Sequence, residues 1–67
     1  TLKYLYTTSL NQKYSVKVVD ANYNEIYKCK PGETIYVIES IVDDIYSKIH
    51  VNGYTGYILN LYLKRRE

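Results

Sequence analysis

The sequence predicts an all-β domain, a small barrel of about five strands with a short 3₁₀ turn before the last one. Three observations carry that expectation. No stretch sustains the 3.6-residue apolar period of a helix. Runs rich in Val, Ile, Thr and Tyr are instead parted at short intervals by Gly, Pro, Asn and Asp. Two of those interruptions, Pro31-Gly32 and Asn52-Gly53, are strong turn signals of known geometry. A chain of 67 residues is too short to fill two full sheets, so a barrel is the favoured architecture.

Taken in order, residues 2–8 (LKYLYTT) mix aromatic and β-branched side chains and read as a strand, and residues 9–13 as a connection. Residues 1–13 are thus an N-terminal strand and connection, and residues 14–67 are the barrel. Residues 14–20 (YSVKVVD) set Tyr14, Val16 and Val18 on one face and Ser15, Lys17 and Val19 on the other. Asp20-Ala21-Asn22 carries turn chemistry, because Asp and Asn side chains bond their own backbone. Residues 24–30 (NEIYKCK) resume an extended pattern up to Pro31-Gly32, and residues 34–41 (TIYVIESI) form the most β-branched run of the chain. Residues 45–51 and 54–59 read as a hairpin around Asn52-Gly53. Asn60-Leu61-Tyr62 is the predicted single helical turn, followed by a final short strand at Leu63-Lys64. Gly53 and Gly56 bracket two residues, and both can take backbone angles that a Cβ would forbid or penalise. Tyr57 and Ile58 then fall on opposite faces, one toward the core and one outward.

The alternation names the core: Val16, Val18, Ile35, Val37, Ile49, Val51 and Ile58, with Ile26, Ile38 and Leu61 as second choices. A domain this small buries only about 60% of the surface its unfolded chain exposes. Replacing Ile49 or Val37 by Ala is therefore expected to cost about 2–4 kcal/mol, a large share of its stability.

Composition excludes several classes. One cysteine, Cys29, leaves no internal disulfide, and one histidine, His50, leaves no metal-ligand set, so no cofactor is expected. Cys29 and His50 lack a third orienting group for a thiol-nucleophile reading. Asp43-Asp44 are neighbours that point to opposite faces of an extended chain, which is wrong for paired carboxylates. Catalysis is not expected. The formal charge is +2, and Lys64-Arg65-Arg66 is the only basic run, which speaks against nucleic acid as a partner. Apolar runs are short, so membrane insertion is not expected. The chain begins at Thr1 without an initiator Met or a signal peptide, and is expected to be a module of a longer protein.

Ten tyrosines, with no Phe, Trp or Met, exceed what a core of this size buries. Tyr pairs an apolar ring with a polar tip and suits half-buried and interface positions. Several are therefore expected at the surface, in a binding role.

From Lys30 onward the residues resemble the Src-homology-3 (SH3) superfamily, and within it the bacterial SH3 (SH3b) domains of cell-envelope proteins. Lys30-Pro31-Gly32-Glu33-Thr34-Ile35-Tyr36-Val37-Ile38-Glu39 is similar to the family's turn and following strand. Residues 46–58 (YSKIHVNGYTGYI) are similar to the bacterial pattern W-Y-K-V-x-x-N-G-x-T-G-W-V, with Tyr46 and Tyr57 standing where that pattern has tryptophans. Leu59-Asn60-Leu61-Tyr62-Leu63 sits where the family closes through a 3₁₀ turn, and Leu59 stands where eukaryotic members carry a groove proline. The resemblance implies an SH3-like barrel whose ligand-binding groove is lined by Tyr46, Tyr57, Asn60 and Tyr62, with Tyr23 and Tyr27 entering from the first long loop. Asp20, Glu25, Asp43 and Asp44 are candidates for an acidic rim that attracts a cationic peptide. The expected function is a non-catalytic module of a bacterial cell-envelope or secreted protein, docking on peptidoglycan or a peptide. The alternative is a structural protein–protein interaction domain packing on another domain of the same chain or on a partner.

Overall fold

A computed structural model describes residues 3–42 and 45–64. Among these residues the chain forms six strands: β1 (Tyr6–Thr8), β2 (Val16–Val19), β3 (Glu25–Cys29), β4 (Ile35–Val42), β5 (Tyr46–Val51) and β6 (Tyr54–Leu59). A 3₁₀ turn over Asn60–Tyr62 follows. Every ladder is antiparallel, and one sheet runs in the order β1-β4-β5-β6-β2-β3.

The all-β expectation holds, whereas the five-stranded barrel is corrected: the sheet has six strands and does not close, leaving β1 and β3 as its edges. The physical reasons are local. The N-terminal segment adds a strand of its own, Tyr6–Thr8, which pairs with Ile35 to Val37 at the start of β4. At the other end, β2 meets β6 through one residue pair, Val19↔Tyr57. Beyond the 3₁₀ turn the described residues supply a single bridge, Leu10↔Leu63, where a final short strand at Leu63-Lys64 was expected.

The turns follow the chemistry of their residues. Asn52 and Gly53 both take positive φ, at 47° and 83°, as the tight β5–β6 hairpin requires. Gly32 sits at φ 91° after Pro31, and Glu33 N–H donates to Lys30 C=O at 3.2 Å to close that turn. Gly56 is not among the positive-φ residues and does not use that freedom. Its constraint is space: a Cβ there would lie 2.6 Å from the Val19 carbonyl oxygen, 2.8 Å from Ile26 Cδ1 and 2.9 Å from Val18 Cγ1. The missing side chain is what lets β2 cross closely over β6. Register shifts in β4, between Val37 and Glu39 and again before Val42, bend the longest strand so the sheet can curl around one core.

All seven leading core candidates are buried, and Leu10, Cys29, Leu63 and Ser47 join them. Ile26 packs partly buried against that cluster, and Ile38 is half-buried. Leu61 is a correction: it is 66% exposed, because the 3₁₀ turn gives the inward position to Leu63 two residues later. Polar contacts fasten the two ends of the chain around this core. Asn11 N–H donates to the Tyr62 carbonyl at 2.9 Å and Asn11 Nδ2 to the Leu61 carbonyl at 2.8 Å. Lys64 N–H reaches the Ser9 carbonyl at 3.0 Å, and Thr8 Oγ1 donates to the Lys64 carbonyl at 2.9 Å.

Candidate functional site

Four tyrosines from separate parts of the chain converge on one groove. Tyr14 precedes β2, Tyr23 sits at the β2–β3 tip, Tyr46 opens β5 and Tyr62 ends the 3₁₀ turn. With Gln12, Lys17, Val19 and Leu59 among the other lining residues, they enclose about 520 Å³, within the ordinary range of ligand sites. Tyr14 and Tyr23 are 70% and 68% exposed, so their rings stand as walls and not as plugs of the core.

Each wall is placed by its own element. At the β2–β3 tip, Asp20 Oδ1 accepts from Asn22 N–H at 2.8 Å and from Asn24 N–H at 3.0 Å. These two backbone bonds hold the Asp20 carboxyl below its ordinary value, outweighing the small opposing effect of burial. The loop so formed forces Tyr23 to φ 68°, a left-handed conformation that costs an L-residue roughly 1–2 kcal/mol. Its ring then lies 5.8 Å from that of Tyr46 at 51°. Asn60 fixes the opposite wall: its side-chain oxygen accepts from Ser47 Oγ, and its N–H donates to the Ile45 carbonyl at 2.8 Å. That pins the 3₁₀ turn to the start of β5, and Asn11 clamps the same turn from the other side. Gln12, the next residue, closes part of the groove with a buried Nε2 that has no hydrogen-bond partner among the described residues. An orphaned buried donor of this kind costs about 1–3 kcal/mol.

Of the six residues expected in the groove, Tyr23, Tyr46 and Tyr62 line it. Asn60 positions two of its walls without lining it. Tyr57 is half-buried on β6, opposite Lys48 and Val19, and stands outside the lining set. Tyr27 belongs to a different cluster. It stacks on Tyr54 with ring centroids 4.8 Å apart and planes 16° apart, and its hydroxyl donates to Glu33 Oε2 at 2.6 Å while accepting from Asn52 Nδ2 at 3.3 Å. The Tyr27 bond, then the one from Lys30 N–H, hold the Glu33 carboxyl below its ordinary value; the same bond to Glu33 pushes the Tyr27 hydroxyl up. A third aromatic group lies on the outer sheet face, where Tyr4 meets Tyr36 edge-on at 4.9 Å.

Tyr14, Gln12 and Lys17 were missed as groove residues by the sequence reading. The available signal was Tyr14 itself, an aromatic ring just ahead of the VKVV run, which strand alternation assigns to the core face. The chain is still bending at Tyr14 and enters β2 only at Val16, so the alternation does not reach it. The acidic rim also changes. Asp20 spends its oxygens on the loop, neither Asp20 nor Glu25 lines the groove, and Asp43 and Asp44 lie outside the described residues, as do Arg65 and Arg66 of the basic run.

Cys29 and His50 do not make a catalytic pair. Cys29 is fully buried, and burial, with Glu33 adding to it, pushes its thiol up to about 11. His50 alternates outward on β5, away from the buried Ser47, Ile49 and Val51, and its Nδ1 is hydrogen-bonded with Thr55 Oγ1 at 2.9 Å. Among the described residues no three His, Cys, Asp or Glu side chains gather as a metal site, and no helix is long and apolar enough to cross a membrane. Compared with protein-family models, curated proteins and solved structures, the chain gives no match.

Proposed function

We propose that the chain is an SH3-like, non-catalytic binding module of a bacterial cell-envelope or secreted protein, and that its tyrosine-lined groove docks on peptidoglycan or an extended peptide. The observation that carries this reading is the convergence of Tyr14, Tyr23, Tyr46 and Tyr62 on one open cleft. Tyr rings give contact area at low entropic cost, and their hydroxyls bond peptide groups and sugar hydroxyls alike. The order of elements supports the SH3-like part: a Pro-Gly turn, a long bent β4, a tight Asn-Gly hairpin and a 3₁₀ turn that delivers an aromatic residue to the groove.

The test is retention on purified cell walls, run beside titration with an extended peptide. Tyr46→Ala and Tyr62→Ala should each weaken binding by about tenfold, or 1.4 kcal/mol, as central aromatic anchors do. Binding that survives both substitutions removes the groove from the account.

One observation favours the alternative, a structural interaction domain packing on a neighbouring domain or partner. Tyr4 and Leu5, 48% and 57% exposed, precede the edge strand β1, and Tyr4 packs edge-on against Tyr36; an extended partner strand can add at that edge. Tyr4→Ala should then abolish partner binding while the groove variants leave it intact.

A further inference from the structure

We infer that Asn11, which does not line the groove, is its positioning residue: it fastens the turn carrying Tyr62 to the segment carrying Gln12 and Tyr14. Ligand affinity is thereby coupled to the pairing of residues 8–11 with residues 61–64. This rests on the groove being the ligand site proposed above.

Three consecutive carbonyls at the end of the 3₁₀ turn accept hydrogen bonds from this one residue. Asn11 N–H donates to the Tyr62 carbonyl at 2.9 Å. Its Nδ2 donates to the Leu61 carbonyl at 2.8 Å and, more weakly, to the Leu63 carbonyl at 3.4 Å. Carbonyls at a helical C-terminus have no partner within the turn, and here the partner comes from the opposite end of the sequence. The same seam continues outward through the Leu10↔Leu63 bridge, Lys64 N–H on the Ser9 carbonyl and Thr8 Oγ1 on the Lys64 carbonyl. The groove straddles this seam, with Gln12 and Tyr14 on one bank and Leu59 and Tyr62 on the other. Gln12, Tyr14 and Tyr62 all lie outside the strands, so no ladder sets their spacing, and the Asn11 bonds do. Asn11 is itself exposed, so its replacement empties no core volume. A ligand that touches both banks favours the closed seam, and by linkage the closed seam favours the ligand equally.

The test titrates ¹⁵N-labelled protein with solubilised cell-wall fragments and with an extended hexapeptide of alternating Ala and Asn. Without either probe, Asn11→Ala should shift the resonances of Gln12, Tyr14 and Tyr62 and speed amide exchange at Lys64. With the probe that binds, it should weaken affinity by about threefold to tenfold, the worth of one neutral hydrogen bond. Ile49→Val, a core change outside both seam and groove, should lower the urea midpoint and leave affinity unchanged; a merely stabilising Asn11 would behave the same way. Saturating probe should also slow exchange of the Asn11 and Lys64 amides while leaving that of Glu33, in the Pro31-Gly32 turn, unaltered. Thr8→Val removes only the exposed outer bond of the seam and should weaken affinity by about twofold, which keeps the test open if Asn11→Ala does not fold. Affinity untouched by Asn11→Ala, or by Thr8→Val in its place, overturns the positioning role and leaves the groove standing. If neither probe moves the groove resonances of the unaltered protein, the ligand site fails and the coupling fails with it.

Discussion

Tyr23 is where one side chain is held against its own preference. Its left-handed φ of 68° suits glycine and not an aromatic residue, while its ring forms a groove wall against Tyr46. A residue kept in an unfavourable backbone state points to a role outside the fold. Tyr23→Gly should therefore leave stability unchanged or raise it by up to about 1 kcal/mol, measured by urea unfolding, while weakening ligand binding several-fold. A substitution that destabilises the protein would show that the ring serves the fold instead. Gly56 is the converse case, a residue fixed purely by packing. Gly56→Ala drives a Cβ into the backbone oxygen of Val19 at 2.6 Å, an atom that cannot swing aside. It should cost about 1–3 kcal/mol, seen as a lower urea midpoint with no loss specific to ligand.

At the scale of elements, the strands were legible because their side chains alternate, and every leading core residue came from that period. Ile49, buried completely in the middle of β5, should lose about 2–4 kcal/mol on replacement by Ala, measured as a drop in unfolding free energy. What alternation could not supply lies outside any strand run. Leu10 and Leu63 meet through a single bridge, a contact between the two ends of the chain with no periodic signature. Leu61 was chosen over Leu63 because nothing in Leu59-Asn60-Leu61-Tyr62-Leu63 tells which leucine the tight turn aims inward. Cys29 continues the inward phase of Val16 across the ladder, but that follows only once the register is known. The groove was half legible for the same reason: Tyr46 and Tyr62 flank recognisable turns, whereas Tyr14 and Gln12 reach the site through the clamp of Asn11 on the 3₁₀ turn.

For the molecule as a whole, the titrating groups set a stability window. Glu33 and Asp20 have folded-state values below their ordinary 4.5 and 3.8. Their stabilisation is present above those values and is lost as pH falls through the lower folded ones. Cys29 acts on the alkaline side. Its folded value of about 11 exceeds the ordinary 9.0, so its contribution is complete below about pH 9 and is lost as pH rises toward 11. Tyr27, also raised above its ordinary 10.0, adds to that limb. Urea midpoints across pH should fall at both ends, with Glu33→Gln flattening the acid limb and Cys29→Ala reducing the alkaline one. An acid limb unchanged by Glu33→Gln would show that its bonds to Tyr27 and Lys30 do not persist in solution.

The open sheet leaves three aromatic clusters on different parts of one small body, and only one of them is the proposed ligand site. Mapping of ¹H–¹⁵N resonances during titration with solubilised cell-wall fragments and with an extended peptide tests that assignment most directly. Shifts should be confined to Gln12, Tyr14, Lys17, Val19, Tyr23, Tyr46, Leu59 and Tyr62 and their immediate neighbours. Shifts centred on Tyr4 and Tyr36, or on Tyr27 and Tyr54, with the groove silent, would contradict it.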